Sequence, residues 1–178
     1  MKSLTSTSEL NKIIKQQVGL LAEVDPSVVR DSTLYFGAEF NKDDDSILTS
    51  FNPDDTFIFF ASGDRETTSQ TSFTEEDGSI VYYKAYQYNL YIYGENGCDV
   101  ANKLVARLRS ESVRNAFHEQ GIHIESVSNP VQLREFVNEL VWMREDVNID
   151  LSVKLKIDQL SDYQTFTDLT EFNIVKAN

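Results

Sequence analysis

From Val147 to Ile157 every odd position is apolar: Val147, Ile149, Leu151, Val153, Leu155 and Ile157. Every even position from Asp146 to Asp158 is polar: Asp146, Asn148, Asp150, Ser152, Lys154, Lys156 and Asp158. Successive strand side chains point to opposite faces, so the pattern predicts one long strand with a buried and a wet face. The eleven residues Val147–Ile157 would run roughly 37 Å at the usual rise, which is long for a chain of this size. Ser79–Tyr93 predicts a second long strand, SIVYYKAYQYNLYIY, holding six of the eight tyrosines. They fall on both faces, as suits a central strand whose phenol tips reach polar partners.

Other segments follow the same logic. Ser6-Thr7-Ser8-Glu9 is a capping box, and Leu10, Ile13, Ile14, Val18 and Leu21 form one helical stripe after it. Gly19 interrupts that helix mildly and Asp25-Pro26 ends it. Val28–Arg30 and Leu34–Phe36 predict short strand pieces, and Thr56–Phe60 a strand buried on both faces. Glu66–Phe73 reads as an exposed strand or arm, and Glu75-Glu76-Asp77-Gly78 as a hairpin turn. Gly94–Gly97 breaks the tyrosine strand. A helix follows from about Asp99 with Val100, Leu104, Val105 and Leu108 on one stripe, then a shorter one at Ser112–Gln120 closed by Gly121. Ile122–Val127 predicts a strand, Asn129-Pro130 a turn, and Val131–Glu135 a turn or strand edge leading to Trp142. Tyr163–Val175 alternates weakly and reads as a closing strand or an arm. The order predicts an α+β fold: a mostly antiparallel β-sheet with long strands and helices packed on one face.

Composition narrows the function classes. The 178 residues fit a single domain, 1–178, with an acidic loop and hairpin region at about 41–78. The net charge is −13, and residues 1–78 alone hold 15 Asp and Glu against 6 Lys and Arg. Gripping nucleic acid through its phosphates needs clustered cations, which this balance lacks. No apolar run approaches a membrane span, and MKSLTSTSEL has no apolar signal core, so neither membrane nor export is expected. Cys98 stands alone, which excludes an intrachain disulfide and fits a reducing cytoplasm.

Candidate chemistry is sparse. Cys98 sits near a helix start, where a thiol pKa can fall, and His118 or His123 would be its base; nothing in the sequence ties them together. Asp43-Asp44-Asp45 with Asp54-Asp55 offers carboxylates for a hard cation, but the spacing is not that of a calcium loop. The tyrosine strand would stack on bases or sugars, yet it lacks the basic groove that accompanies single-strand binding. There is no phosphate loop, H-E-x-x-H, C-x-x-C or G-x-S-x-G. No cofactor, no metal and no enzymatic activity are expected.

The order of features after the tyrosine strand adds a resemblance. Tyr93-Gly94 ends a strand, a helix with Leu104 and Leu108 follows, and Val113–Phe117 makes a short helix. Gly121-Ile122-His123-Ile124 opens a strand, followed by Asn129-Pro130-Val131 and Leu133-Arg134-Glu135-Phe136. Trp142-Met143-Arg144-Glu145-Asp146 then leads into the long strand. This layout resembles the tail-terminator or neck proteins of tailed bacteriophages over roughly residues 80–158. The family layout has Trp-x-x-Arg or a close variant at the strand entrance, whereas Trp142 and Arg144 are separated by one residue. The acidic 41–78 region has no counterpart in it.

The resemblance implies a structural virion protein. Such subunits form a ring, a homohexamer, at the head-proximal end of the tail tube, ending its polymerisation and joining it to the head connector. The implied partners are other copies of the chain, the tail tube protein and connector or neck proteins. DNA only passes through the lumen. The implied place is the virion neck, assembled in the host cytoplasm. Candidate subunit-interface residues are Trp142, Arg144, Asp146, Asn148, Asp150, Lys154 and Lys156. Candidate lumen or loop acids are Asp43, Asp44, Asp45, Glu75, Glu76 and Asp77. Trp142 is expected to pack at the strand entrance; Arg144 is expected to pair with a carboxylate, either across a subunit boundary or as an ordinary surface ion pair. Another head–tail joining ring, a metal-dependent enzyme using the acidic loops, and a ligand-binding module using the tyrosines are the alternatives.

Overall fold

The 147–157 alternation is the C-terminal part of a longer strand. In the computed structural model, which describes residues 2–31, 55–64, 72–75, 77–137 and 140–157, this strand spans Leu140–Ile157. The other described elements, in order, are α1 (Thr7–Ala22), a 3-10 turn (Pro26–Val28), β1 (Val29–Asp31), β2 (Phe57–Asp64), β3 (Ser72–Thr74) and β4 (Ile80–Tyr93). They continue with α2 (Gly97–Leu108), α3 (Glu111–Glu119), β5 (Ile122–Val127), β6 (Val131–Val137) and the long strand, β7. The expected strand pieces at Leu34–Phe36 and Tyr163–Val175, and Glu66–Thr71, lie outside the described residues.

The described strands form one sheet in the order β1-β2-β4-β7-β5, with β3 beside β4 and β6 beside β7. Its axis is the antiparallel β4–β7 pair, in register from Ile80↔Ile157 to Tyr93↔Arg144. β1 and β2 run parallel, and every other pairing of named strands is antiparallel. On its far side β7 is shared: β5 covers the Ile149–Val153 end and β6 the Leu140–Asp146 end. The segment around Leu4 adds a parallel bridge to Leu155, with Leu4 N–H donating to the Lys154 carbonyl at 2.9 Å.

The helices pack on the face that the alternation marks as buried. Val147, Ile149, Leu151, Val153 and Leu155 form one core with Tyr86, Tyr88, Leu90 and Ile92 of β4. Leu10, Ile14 and Val18 of α1, Leu104 and Leu108 of α2, and Phe117 of α3 close over it. This is the expected α+β arrangement. The Ser6 hydroxyl accepts from Glu9 N–H, as the capping box predicts, while the Glu9 carboxylate accepts from Thr5 N–H. The buried phenols find partners on α1: Tyr86 Oη lies 3.2 Å from Thr7 Oγ1, and Tyr88 Oη donates to Asn11 Oδ1. Burial pushes the Tyr88 phenol well above its ordinary pKa, keeping it a donor.

Phe57, Ile58, Phe59 and Phe60 are all buried, as a strand covered on both faces requires. Ile58 and Phe60 join the helix-side core. Phe57 and Phe59 enter a second cluster on the opposite face with Tyr93 and Trp142. Gly94 turns the chain after β4 at φ 111°, where a Cβ would meet the Asp55 carbonyl at 2.6 Å. Only glycine fits there without shifting backbone.

Candidate functional site

The β7 strand outruns its main partner. β4 stops at the Tyr93↔Arg144 pair, so Leu140–Met143 has β6 as its sheet partner. Val131–Glu135, expected as a turn or strand edge, is therefore part of one arm of a β6–β7 hairpin, which borders the sheet at Val131–Leu133 and projects past β4 from Arg134 on. Cross-strand partners share a face, so Leu133 lies beside Arg144 and Glu135 beside Trp142, on the side away from the helices.

Arg144 organises this end. Its Nη1 donates to Glu135 Oε1, and its Nε and Nη2 donate to the two oxygens of Asp146 at 2.6 and 3.0 Å. The guanidinium also lies 5.1 Å from the Tyr91 ring centroid. Tyr93 Oη donates to the second Glu135 oxygen at 2.9 Å. Burial raises the Tyr93 phenol pKa, so it stays protonated and can donate. One planar guanidinium thus serves two carboxylates, a geometry lysine cannot reproduce.

Trp142 sits under this network, 4% exposed. Its ring meets Phe57 edge-on at 5.8 Å and Tyr93 at 6.4 Å, while Phe57 and Tyr93 stack at 5.0 Å. Such pairs add about 0.5–1.5 kcal/mol each beyond area burial. The indole Nε1 has no hydrogen-bond partner among the described residues. On the helix side, Glu145 is buried and accepts from Gln132 Nε2 at 2.8 Å, which is why the apolar alternation fails before Val147.

The remaining even positions of β7 run along the same face. Asn148 is exposed. Asp150 accepts from Gln87 Nε2 at 3.2 Å and from Ser126 Oγ at 2.7 Å. At the far end Glu75 bridges Lys154 and Lys156 at 3.3 and 3.2 Å, and Asp77 holds Lys156 at 2.7 Å. Two sets of candidates that the sequence kept apart, the strand lysines and the hairpin acids, are therefore partners. Lys156 first, then Lys154, draws the Glu75 carboxyl below its ordinary pKa; Lys156 and Ser79 hold Asp77 far lower. Asp43, Asp44, Asp45 and Glu76 lie outside the described residues.

The structure also joins His118 of α3 and His123 of β5, ring centroids 6.4 Å apart and both exposed. Cys98 is exposed in the first turn of α2 and accepts from Asn102 Nδ2. Among the described residues no group of three or more His, Cys, Asp or Glu converges on a metal position. No helix among them is long and apolar enough to cross a membrane.

Sequence reasoning missed Glu135 as the partner of Arg144, and it missed the exposed apolar residues of the hairpin. The signal for both was the short alternation Val131, Leu133, Glu135, cut off before it reached a strand's usual length.

Comparison with known families adds an independent finding. Residues 44–178 match a family model described as phage neck terminator protein. The match starts before β2 and takes in most of the acidic region for which the sequence layout had no counterpart. No curated protein matches the chain.

Proposed function

The chain belongs to the phage neck terminator family, and from that membership we propose that it forms a sixfold ring capping the head-proximal end of a phage tail tube. The ring ends tube polymerisation and presents a docking face to the head connector. The role is structural, without catalysis, and its place is the neck of the virion after assembly in the host cytoplasm. Its partners are further copies of itself, the tail tube protein and connector or neck proteins.

The family match over 44–178 is the observation that carries this. The fold supports it through a rigid sheet with a projecting hairpin, which is suitable material for subunit contacts. The −13 net charge supports a lumen through which DNA slides without sticking, since like charges repel. The test is tube growth in vitro. Adding the protein to polymerising tail tube subunits should leave tubes capped at one end and shorter than in its absence. Tubes that grow to the same length, uncapped, would overturn the proposal.

A further inference from the structure

Among the described residues, eight large apolar side chains are exposed, and seven of them fall into two groups at opposite ends of the central strands. On the β6–β7 hairpin, Val131 (55% exposed) and Leu133 (38%) share the face away from the helices, and Val141 (50%) lies on the other face. Where β4 begins and β7 ends, Phe73 (44%) and Tyr83 (37%) also share the face away from the helices, and the paired Ile80 (45%) and Ile157 (50%) lie on the helix side. Leu20 on α1 is the exception.

Each group also contains an edge strand. β6 pairs with β7 alone, and β3 with β4 alone, among the described strands. β3 is exposed at all three residues, and β6 from Val131 to Arg134. An exposed apolar edge strand is a template for another strand, and a folded protein that keeps one uncovered invites aggregation. The faces agree as well. Leu133 pairs with Arg144 and Phe73 with Val81, so both side chains lie on the face away from the helices. A sheet continued from one strand to the other would set them side by side.

We infer that the β6 edge of one copy docks on the β3 edge of the next, with Val131 and Leu133 packing on the Phe73 and Tyr83 end of its neighbour. The contact rests on the ring proposed above and specifies which surfaces close it. Two unlike patches at opposite ends of one subunit are what a head-to-tail ring requires; a symmetric dimer would need one patch that matches itself. Arg144, beside Leu133, and Lys156, level with Phe73 through Val81, lie 12 positions apart on β7, a separation of roughly 40 Å. In a sixfold ring the distance between successive contacts equals the radius, so these contacts would lie on a circle roughly 80 Å across when β7 lies in the ring plane.

The experiment places both partners in one chain: Leu133→Cys with Phe73→Cys, in a Cys98→Ser background, treated with a short bis-maleimide. Linked ladders should form in the double variant and be absent from either single variant. Leu133→Asp should abolish assembly, and Leu20→Asp should leave it unchanged. An assembled protein whose double variant forms no ladder, whose Leu133→Cys variant links to itself, or whose Leu133→Asp variant assembles normally would overturn this contact and leave the ring standing. A chain that stays monomeric in every variant and in the unaltered protein would overturn the ring and the contact together.

Discussion

Arg144 reaches diagonally from β7 to Glu135 on β6, past its own cross-strand neighbour Leu133. The contact ties the projecting hairpin to the sheet body, because the same guanidinium holds Asp146 and covers Tyr91. Its carboxylate partners Glu135 and Asp146 are only 31% and 23% exposed, so both would be left partly buried without their shared cation. Arg144→Ala is expected to lower the unfolding free energy by about 1–3 kcal/mol. Arg144→Lys should restore only part, since an ammonium cannot serve both carboxylates in the same geometry. Denaturant titration of the three proteins measures this, and a lysine variant equal to the parent would sink the two-carboxylate account.

Trp142 offers a sharper contrast. Trp142→Ala removes the centre of the Phe57–Tyr93 cluster and should cost about 3–5 kcal/mol. Trp142→Phe keeps an aromatic ring and removes a buried indole N–H that has no partner among the described residues. Relief from an unsatisfied donor, on the order of 1–3 kcal/mol, offsets part of the lost volume. The Phe variant should therefore stay within about 1.5 kcal/mol of the parent, the usual range for well-tolerated core exchanges. Thermal unfolding of both variants checks the ordering, and equal losses would contradict it.

Leu151 tests the face assignment on which the fold depends. It is fully buried between Tyr86 and Ile124 along the register. Leu151→Ala should destabilise by about 2–5 kcal/mol. Leu151→Asp buries an unpaired charge and should leave the chain unfolded. Its neighbour Ser152, on the opposite face, should accept Lys with little change. Circular dichroism melts distinguish these, and a folded Leu151→Asp protein would mean that the faces are reversed.

The Glu75–Asp77–Lys154–Lys156 cluster predicts a local pH dependence. Glu75 and Asp77 have folded pKa values below their ordinary 4.5 and 3.8. Their contribution is present above those values and is lost as pH falls through the lower folded ones. Lys156, raised above 10.5 by Asp77 and then Glu75, contributes fully below 10.5 and loses its contribution as pH rises through its folded value. The β3–β4 turn should therefore be tied down across neutral pH and loosen at both extremes. Amide exchange of Gly78 and Ser79, corrected for intrinsic rates, should show protection falling below about pH 4 while the Leu151 amide holds. Constant protection in the turn to about pH 2 would show that the ion pairs do not hold it.

Long periodic segments were legible from residue patterns, and short ones were not. The even–odd rule from Val147 to Ile157 was enough to assign the core face, because the described helices cover the odd positions up to Leu155 while every even position carries a polar side chain. It stopped seven residues short of the strand's start at Leu140. There Glu145 is buried with Gln132, and Trp142 is buried on the nominally polar face, so the side-chain types no longer report the face. β6 was blurred for a similar reason: at an edge, Val131 and Leu133 remain exposed and no alternation with solvent is enforced. The pairing of Arg144 with Glu135, and of Lys154 and Lys156 with Glu75, depends on register across strands. No pattern within a single segment encodes that. The order of elements did carry the family, and the match over 44–178 extends it beyond the stretch that first suggested it.

The central claim is that this chain works as a closed ring, and native mass spectrometry of the purified protein tests it most directly. The account predicts a dominant species of six times the 20.3 kDa protomer, lost on Leu133→Asp. A monomer of the protomer mass at every concentration would contradict it.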